Sequence, residues 1–506
     1  MVYPPPSASF LQLILSNRRR RQRQRRRRLE ASPKNQKCRR GSNTVTRSPR
    51  RKAKYVNEVG ASVTYSPEKT FWFMYYLKSP ERSDSHFECK FRNRFRLPYD
   101  AFLELYEIVK LNKLFLRWNR YKNGNNPRLG LLLLGVLRYL GRGWTYDDLE
   151  EATAISLHVH RDFIHIFLQF GREVLYPKHV KYPVNSAEMH NHTKEYEIAG
   201  FHGAVGSMDA CHIVIERCSH RLKQNHLGGK SKQTCRSYNL TCNHRRQILH
   251  TTPGHPARWN DKTIVLYDEL AVGMRAGKLM NDNEFELYDK KANGDLIKVK
   301  YKGSWLLVDN GYLNWGNTIA PKKSTIFRTE ARWSEWLESM RKDVECTFGI
   351  LKGRWRILKA GIRLHGVNAA DNVWLTCCAL HNWLLETDGY SLPWDGELGL
   401  HDINDGTIKV PYVLSRLQNG VSQRQYDSSG MGPGLIENLE DLSNKDDQTI
   451  FQEYADEAQN VVNVQVNCAH HNNVHELSSD VMREKLITHF NILFKLNKIK
   501  WPRRNN

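Results

Sequence analysis

Hydrophobic periodicity changes abruptly near Phe201, and this change constrains the fold more than any other feature. Before it, over residues 66–200, apolar residues recur at the three- and four-residue spacing of amphipathic helices. After it come short β-prone runs separated by Gly, Asn and Pro, then two long helical patterns at about 329–358 and 369–387. Strands followed by helices indicate an α/β domain with a mixed sheet, which we predict over residues 201–390, preceded by a helical domain over 66–200.

The helical region contains a pattern typical of a helix-turn-helix. A strongly apolar helix ends at GRGW, Thr145 and Asp148 then form a capping-box pattern, and Ser156 opens the next helix. In a helix-turn-helix, this last helix would present to DNA the residues His158, His160, Arg161 and His165. A helical bundle packed beside the catalytic domain explains the same pattern equally well, so both interpretations stay open.

Acidic residues occupy positions in the α/β region where an unpaired charge is costly. Asp209 interrupts an apolar strand, and Asp309 ends the apolar run WLLVD directly before the turn NGY. A carboxylate buried there needs a cation or hydrogen bonds. Magnesium suits such a place because it binds one or two carboxylates and keeps waters and phosphate oxygens as its other ligands.

Glu345 supplies a third acid, on a long helix. The apolar face of that helix contains Met340, Val344, Phe348, Leu351, Trp355 and Leu358. Glu345 lies beside this face, and Gly349 one turn later leaves open space next to it. Phosphate-binding charge would come from Lys352, Arg354 and Arg356. Three carboxylates that hold two metal ions would form a clamp for phosphodiester cleavage.

Each acid also has a structural explanation. Asp309 could open an Asp-Asn-Gly turn, Glu345 could be a surface partner of Arg341, and Asp209 could cap the end of a strand. Structural explanations hold for most acids in most proteins, so the residues taken singly do not decide between the alternatives.

Five segments follow one another along the chain, namely GSMDACHI around Asp209, PGHPARWND ending at Asp261, LLVDNGYL around Asp309, RKDVECTFGILKGRWRIL around Glu345, and ALHNWLL at 379–385. In this order they resemble the PIF/Harbinger transposases and their domesticated nuclease-like relatives, which are DDE superfamily endonucleases. The resemblance spans roughly residues 91–385. It implies an RNase H-like catalytic core, a divalent metal cofactor (Mg²⁺ or Mn²⁺), and hydrolytic nicking of DNA followed by strand transfer.

The resemblance also assigns roles to residues. Asp209, Asp309 and Glu345 match the catalytic triad of the family, and Asp261 matches a further acid often treated as a metal ligand. The sequence around Asp261 departs from the more usual PGSxHD pattern, and Asp268 is the nearby alternative. Such transposases commonly work with a separate Myb-like DNA-binding protein, and this sequence contains no Myb-like tryptophan repeat. The sequence also leaves open whether the protein forms a homo-oligomer.

A strongly basic arm precedes the helical region. Residues 1–54 hold eighteen Lys or Arg and one acid, Glu30, in a chain of net charge +24. The run NRRRRQRQRRRRL cannot bury enough apolar surface to fold, so we predict a disordered arm over 1–65 that serves nuclear import or grips nucleic-acid phosphates. The longest apolar run, LGLLLLGVL, is far shorter than the ~20 residues of a membrane span, so no membrane association is predicted.

The remaining regions carry less information. Residues 391–475 are rich in Asn, Asp, Gly and Ser, which predicts a flexible linker, and 476–506 read as a C-terminal basic helix and tail. The ten cysteines include no CxxC pair, and their spacing does not match a zinc finger, which favours free thiols in a reducing compartment.

These observations predict a metal-dependent DNA endonuclease or transposase located in the nucleus. The alternative is a domesticated, catalytically silent nuclear protein that binds DNA or a partner. A basic helix-turn-helix regulator with an α/β ligand domain is a third reading, and it would leave the three acids unexplained.

Overall fold

The computed structural model describes residues 66–119, 127–229, 232–291, 293, 295–392 and 472–503, and the short strands Tyr55–Val56, Ser62–Val63 and Gly396–Leu398. The chain divides into two compact units, Met1–Thr64 and Tyr65–Asn506. Tyr55–Val56 and Ser62–Val63 pair in antiparallel fashion within the first unit. Apart from these short strands, the basic arm predicted over 1–65 and most of the linker predicted over 391–475 lie outside the described residues.

Helices begin the second unit. They are α1 (Ser85–Phe95), α2 (Tyr99–Leu111), α3 (Pro127–Arg142), α4 (Tyr146–Thr153), α5 (Leu157–Phe170) and α6 (Ser186–Ile198). Shorter helical segments are Pro67–Lys69, Phe73–Lys78, Lys113–Phe115, Leu116–Asn119, Gly171–Leu175 and Tyr176–His179. Gly143 follows α3 with φ +71°, a left-handed conformation that glycine adopts without strain, and this explains the break before α4.

The pair α4–α5 contains the capping box predicted from the sequence. The Thr145 side chain accepts from the Asp148 N–H, and the Asp148 carboxylate accepts from the Thr145 N–H. Helix α5 presents only part of the predicted set to solvent, since His160 is fully buried and its Nε2 lies 2.7 Å from Thr153 Oγ1. The expectation that His160 faces DNA is therefore wrong, because the ring fills the space between α3 and α4.

Eight strands of the second unit lie between residues 204 and 319, and six of them form a mixed sheet. They are β1 (Ala204–Val214), β2 (Cys235–Cys242), β3 (Ile248–Thr251), β4 (His255–Pro256), β5 (Glu284–Lys290), β6 (Leu296–Lys302), β7 (Trp305–Leu307) and β8 (Thr318–Ile319). Six of them follow the order β8-β7-β1-β2-β3, with β4 paired to β2. β1 runs parallel to β7 and antiparallel to β2, so the central pairings include both senses.

A hairpin, β5–β6, lies apart from the main sheet and was not anticipated from the sequence. Its strands pair from Glu284 with Lys302 to Lys290 with Leu296, and Asn472–Asn473 adds a parallel strand to β6. Alternation explains its placement, because Phe285, Leu287 and Tyr301 point into a core cluster while charged residues alternate with them.

One helix, α7 (Glu269–Arg275), lies between β4 and β5. The other helices follow the sheet, as the sequence predicts, and they are α8 (Arg328–Arg354), α9 (Arg356–Ala360), α10 (Val367–Thr387) and α11 (Ser479–Lys495). Shorter elements are His220–Lys223, Asp261–Ile264, Val265–Tyr267, Val474–Glu476 and Trp501–Arg503. The apolar residues predicted for one helix over about 329–358 are all buried. The helix itself breaks at Trp355, whose backbone is not helical, so Leu358 belongs to α9. Within the described part of the chain, no helix has the length and apolarity needed to cross a membrane.

One large core connects the helical region to the sheet. Its buried side chains run from Trp72 in the first helical segment, through β1 and β2, to Leu384 in α10. A second cluster joins the end of α6 to α8 and α11, where Trp336 packs against Phe490. Residue 200 therefore marks a change from helices to strands inside one compact unit, and the fold is mixed α/β.

The described cysteines form no disulfide among themselves. Five of them are buried, namely Cys211, Cys235, Cys242, Cys377 and Cys378. They behave as small apolar side chains of the core, since they lie on β1, β2 and α10 between larger buried residues.

Candidate active site

The register of two parallel strands brings Asp209 and Asp309 to one place. Ser207 of β1 pairs with Leu307 of β7, and each aspartate follows two residues later. A step of two residues along a strand returns the side chain to the same face. Both carboxylates therefore stand on the face of Ser207, whose hydroxyl points to the Met340 carbonyl of α8 at 3.4 Å.

Helix α8 carries the third acid, Glu345, and an arginine of the same helix connects it to Asp209. Arg341 Nη2 lies 2.8 Å from Glu345 Oε1, and Arg341 Nη1 lies 3.6 Å from Asp209 Oδ2. The guanidinium side chain is 7% exposed, that of Asp209 22% and that of Glu345 47%. One buried cation thus links the strand carboxylate to the helix carboxylate, and Glu345 is the member of the set open to solvent.

Asp261 reaches the same place from the start of the short helix Asp261–Ile264, which follows β4. A Cβ on Gly311 would lie 2.7 Å from Asp261 Oδ2 and 2.8 Å from Asp309 Oδ1, so both carboxylates crowd against this glycine. The Gly311 N–H donates to Asp309 Oδ1 at 2.8 Å. Only a residue without a side chain leaves Asp261 and Asp309 their present positions.

The electrostatics of Asp209 reflect this crowding. Burial raises the pKa of Asp209 to about 7, against the opposing effects of Arg341 and the Ala210 N–H, and the charges of Asp309 and Asp261 add to the rise. The Ala210 N–H donates to Asp209 Oδ1 at 2.8 Å. A single arginine therefore offsets only part of the cost of burying this carboxylate among other acids.

A buried hydrogen-bond chain lies behind the acids. Tyr312 O–H donates to Asn239 Oδ1 at 2.6 Å, and Asn239 Nδ2 donates to Asp268 Oδ2 at 2.7 Å. Asp268 Oδ1 accepts from the Ala271 N–H at 3.0 Å and so caps α7. Asp268, the alternative to Asp261, is fully buried with both oxygens engaged in this chain. Burial raises the pKa of Tyr312 well above its ordinary value, and the neighbouring acids add to the rise.

The donor set fits a divalent metal in chemical type. Asp209, Asp261 and Asp309 offer carboxylate oxygens, the ligands that Mg²⁺ and Mn²⁺ favour, and the charge of buried Asp209 is only partly balanced. Among the described residues, no group of three or more His, Cys, Asp or Glu side chains has the spacing of a formed metal site. Coordination would therefore require the carboxylates to move closer together.

Comparison with known proteins covers the part of the chain that holds these residues. Residues 208–382 match the DDE superfamily endonuclease family. The matched segment contains all four carboxylates of the site. A protein of Arabidopsis thaliana described as ALP1-like is 20% identical over 284 residues, which cover 56% of this chain and 67% of that protein. No solved structure matches the chain.

The mixed α/β fold is consistent with a DDE endonuclease domain, and the match suggests a nuclease- or transposase-like function. At this level the resemblance noted from the sequence is confirmed. Its finer assignments, namely the PIF/Harbinger type, the RNase H-like topology and the metal ligands, stay predictions.

The four residues predicted to bind DNA lie in different surroundings. Lys352 Nζ lies 3.5 Å from the His212 carbonyl, on the side of α8 that carries Glu345, and Arg356 is exposed just beyond α8. Arg354 is half-buried, and its Nη1 lies 3.4 Å from His381 Nδ1. Arg161 is exposed on α5 beside Asp162 at 3.5 Å.

Sequence reasoning did not identify three parts of the site. Arg341 was considered only as a surface partner of Glu345, yet it is buried and also contacts Asp209. Gly311 was read as part of a turn, and Asn239 was one of many polar residues in a strand. A signal existed for Arg341, since it precedes Glu345 by one helical turn. The contacts of Gly311 and Asn239 depend on tertiary packing.

Proposed function

We propose that this protein is a divalent-metal-dependent DNA endonuclease of the PIF/Harbinger transposase type, with Asp209, Asp309 and Glu345 as its catalytic carboxylates. The observation that carries the proposal is that Asp209 of β1 lies close to Asp309, which follows β7 by two residues, while Arg341 links Asp209 to Glu345 of α8. The match of residues 208–382 to the DDE endonuclease family supports it.

The carboxylates have distinct tasks in this proposal. Asp209, Asp309 and Glu345, with Asp261 as a fourth member, would hold Mg²⁺ or Mn²⁺ ions in a two-metal arrangement. A bound divalent metal lowers the pKa of its water and neutralises charge on the phosphate during displacement. Arg341 keeps Asp209 and Glu345 in place by its two contacts. The Gly311 N–H orients the Asp309 carboxylate, and the chain of Tyr312 and Asn239 keeps the strand ends fixed.

A path for the DNA backbone lies along α8. A Cβ on Gly349 or Gly353 would meet nothing within 4 Å, so this side of the helix is open next to Glu345. Lys352 and Arg356 flank the open side with positive charge. Phosphates could therefore approach the acids without displacing side chains.

A nicking assay tests the proposal. The purified protein, with Mg²⁺ or Mn²⁺, is given supercoiled plasmid that carries the genomic sequences flanking its gene, with and without a Myb-like partner. We expect metal-dependent nicking that Asp309→Asn and Glu345→Gln reduce at least a thousandfold. Glu107→Gln, at an exposed acid on α2, is the matched control and should cut normally. If no DNA is cut under any of these conditions, the proposal that this protein is a nuclease is wrong.

A catalytically silent DNA- or partner-binding protein is the second candidate. One observation favours it: Arg341 already supplies a cation to Asp209 and Glu345. Metal titration distinguishes the two candidates. An active enzyme should gain thermal stability with Mn²⁺ and lose that gain in Asp309→Asn, whereas a silent protein should bind DNA and show no response to the metal.

Partners and location follow from the same proposal. DNA is the substrate, and a separate Myb-like protein would supply sequence recognition, as in similar transposases. Light scattering would measure whether the protein forms a homo-oligomer. The basic arm within residues 1–65 directs the protein to the nucleus in this proposal. Deletion of residues 1–54 should then move a fluorescent fusion into the cytoplasm, and unchanged nuclear fluorescence would remove the import role.

A further inference from the structure

Three aromatic rings, two before Asp261 in the sequence and one after it, form a cluster. The rings of His255 and Trp259 stack with centroids 5.3 Å apart and 19° between planes. Trp259 and Tyr267 follow at 4.9 Å and 30°. We call His255, Trp259 and Tyr267 the ring cluster. His255 and Tyr267 also lie 6.0 Å apart, with 45° between planes, so the three rings form a compact triangle. A ring face of this cluster that is open to solvent can stack against another planar group.

The ring cluster is partly open to solvent. Tyr267 is 57% exposed, its neighbour Leu266 is 52% exposed, and the rings of His255 and Trp259 are half-buried. Among the described residues, most aromatic side chains belong to the three hydrophobic cores, whereas His255, Trp259 and Tyr267 lie outside them. Adjoining exposed apolar groups of this kind can form a binding surface.

Local structure holds the rings in place. β4 anchors His255 by pairing with Ser237 of β2, and the Trp259 N–H donates to the Pro256 carbonyl at 3.0 Å. Asn260 caps the short helix Asp261–Ile264 by accepting from the Thr263 N–H at 2.9 Å. Because the backbone under the rings is already hydrogen-bonded, a ligand would lose little binding free energy to ordering this segment.

The ring cluster lies close to the acids. Trp259 precedes Asp261 by two residues, a separation of at most about 7 Å between Cα atoms. Across the sheet, His255 pairs with Ser237, which in turn faces His212 of β1, three residues beyond Asp209. At about 3.3 Å per residue, the level of the cluster is roughly 10 Å along β1 from Asp209, and because three residues is an odd step, His255 lies on the opposite face of the sheet from the Asp209 carboxylate. The link from the cluster to the acids therefore runs through Asp261, which lies beside Asp309. About three nucleotides of a strand cover 10 Å at 3.4 Å each.

The charges beside the rings match a nucleic-acid strand. Arg258 and Lys262 are exposed and flank Trp259 on either side in the sequence. Exposed cations beside aromatic faces are the combination by which proteins grip single strands, with the cations on phosphates and the rings on bases. An apolar protein segment could pack on the rings, but it would make no use of the two cations.

We propose that the ring cluster of His255, Trp259 and Tyr267 stacks an unpaired nucleobase of the DNA strand whose phosphate reaches Asp209 and Asp309. This inference rests on the proposed nuclease function and adds a base-binding site to it. A strand that is locally unpaired next to the cleavage point would be held by its base at the rings and by its backbone at Arg258 and Lys262. Sequence tolerance is expected, since every base has a flat face.

A pair of ligands of equal charge tests the stacking. Fluorescent oligo(dT) of about ten nucleotides is compared, by anisotropy in EDTA, with an oligomer of the same length made of abasic sugar-phosphate units. Stacking contributes about 1–3 kcal/mol per base, so wild-type protein should prefer oligo(dT) by roughly 5- to 150-fold. Trp259→Ala and Tyr267→Ala should each lose most of this preference and keep the affinity for the abasic oligomer.

Control variants separate stacking from other effects. Phe327→Ala, at an exposed aromatic residue before α8, should bind both oligomers as wild type does. Trp259→Phe should restore most of the preference for oligo(dT), and thermal unfolding verifies that each variant is folded. Photocrosslinking of oligomers that contain 5-iodouracil should label Trp259 or Tyr267.

Three outcomes would overturn the inference. The first is equal preference for oligo(dT) in wild type and Trp259→Ala, and the second is crosslinks that map away from the cluster. The third is that Trp259→Ala and Tyr267→Ala bind oligo(dT) normally but no longer bind a partner protein. That result would identify the rings as a protein docking site. Because this assay needs no cleavage, the nuclease proposal fails separately, by the absence of metal-dependent nicking.

Discussion

The Gly311 N–H donates a 2.8 Å hydrogen bond to Asp309 Oδ1, and the missing side chain of the same glycine makes room for Asp261. A Cβ there would approach one oxygen of each carboxylate to less than 3 Å, closer than side chains in proteins come. The contact therefore both orients Asp309 and sets how near Asp261 can lie. Four carboxylates are brought together by elements distant in sequence, and small changes of this kind should affect chemistry before stability.

Gly311→Ala should lower nicking by at least tenfold while the protein stays folded. The added methyl group must displace Asp261 or Asp309, both of which end in movable carboxylates, so the cost in unfolding free energy should be about 1 kcal/mol. Plasmid nicking and thermal unfolding measure the two effects. Gly229→Ala, whose Cβ would meet nothing within 4 Å, is the control. Full activity of Gly311→Ala would show that the spacing of these acids does not limit catalysis.

Arg341→Met should destabilise the metal-free protein. Removal of a buried guanidinium leaves Asp209 with a charge that its surroundings compensate poorly, which should cost about 2–3 kcal/mol in urea unfolding with EDTA. Mn²⁺ should recover more stability in this variant than in wild type, since the metal can replace the lost cation. Arg328→Met, at an exposed position of the same helix, should change little. An unaltered unfolding curve for Arg341→Met would contradict the counter-ion role.

Asp371→Asn should be strongly destabilising, independently of any catalytic role. The Asp371 carboxylate accepts from Arg236 Nε at 3.0 Å and Nη2 at 2.6 Å, and from Tyr238 O–H at 2.9 Å. Loss of its charge leaves Arg236 buried without a counter-ion, at a cost of about 3–5 kcal/mol in unfolding free energy. Asp100→Asn breaks only an exposed contact with Arg82 and should cost less than about 1 kcal/mol. Similar urea midpoints for the two variants would argue against the buried pair.

Acid should destabilise the fold through buried histidines. Burial lowers the pKa of His160, His192 and His381 to about 4 and that of His489 to about 2. The unfolded chain titrates near 6.5, so below that pH it binds more protons than the folded chain. Stability is therefore complete above about pH 6.5 and is lost as the pH falls toward 4.

His160→Leu tests this dependence at one position. The substitution removes the titrating ring and leaves the Thr153 hydroxyl bonded to the Leu149 carbonyl. The loss of unfolding free energy between pH 7.5 and pH 5 should shrink by about 2 kcal/mol relative to wild type. His86→Gln, at an exposed histidine, should leave the pH dependence unchanged. An equal slope for wild type and His160→Leu would show that this ring does not remain neutral in the fold.

Sequence patterns predicted the local elements well and their surroundings poorly. The strand that holds Asp209 and the apolar face of α8 were both foreseen, since alternation and helical spacing are local signals. The capping box at Thr145 was foreseen for the same reason. His160 was misplaced because its burial depends on the packing of α3 and α4, which no local pattern records.

The sequence by itself determined which residues are acidic, which runs are strands and helices, and that an aspartate interrupts one strand and ends another. The tertiary structure decided that those aspartates meet. Asp209 and Asp309 are neighbours because β1 and β7 pair in one particular parallel register, and a shift of one residue would turn one carboxylate to the opposite face. Arg341 likewise became the link between Asp209 and Glu345 only when α8 packed on the sheet, since a helix position has no partner until another element covers it.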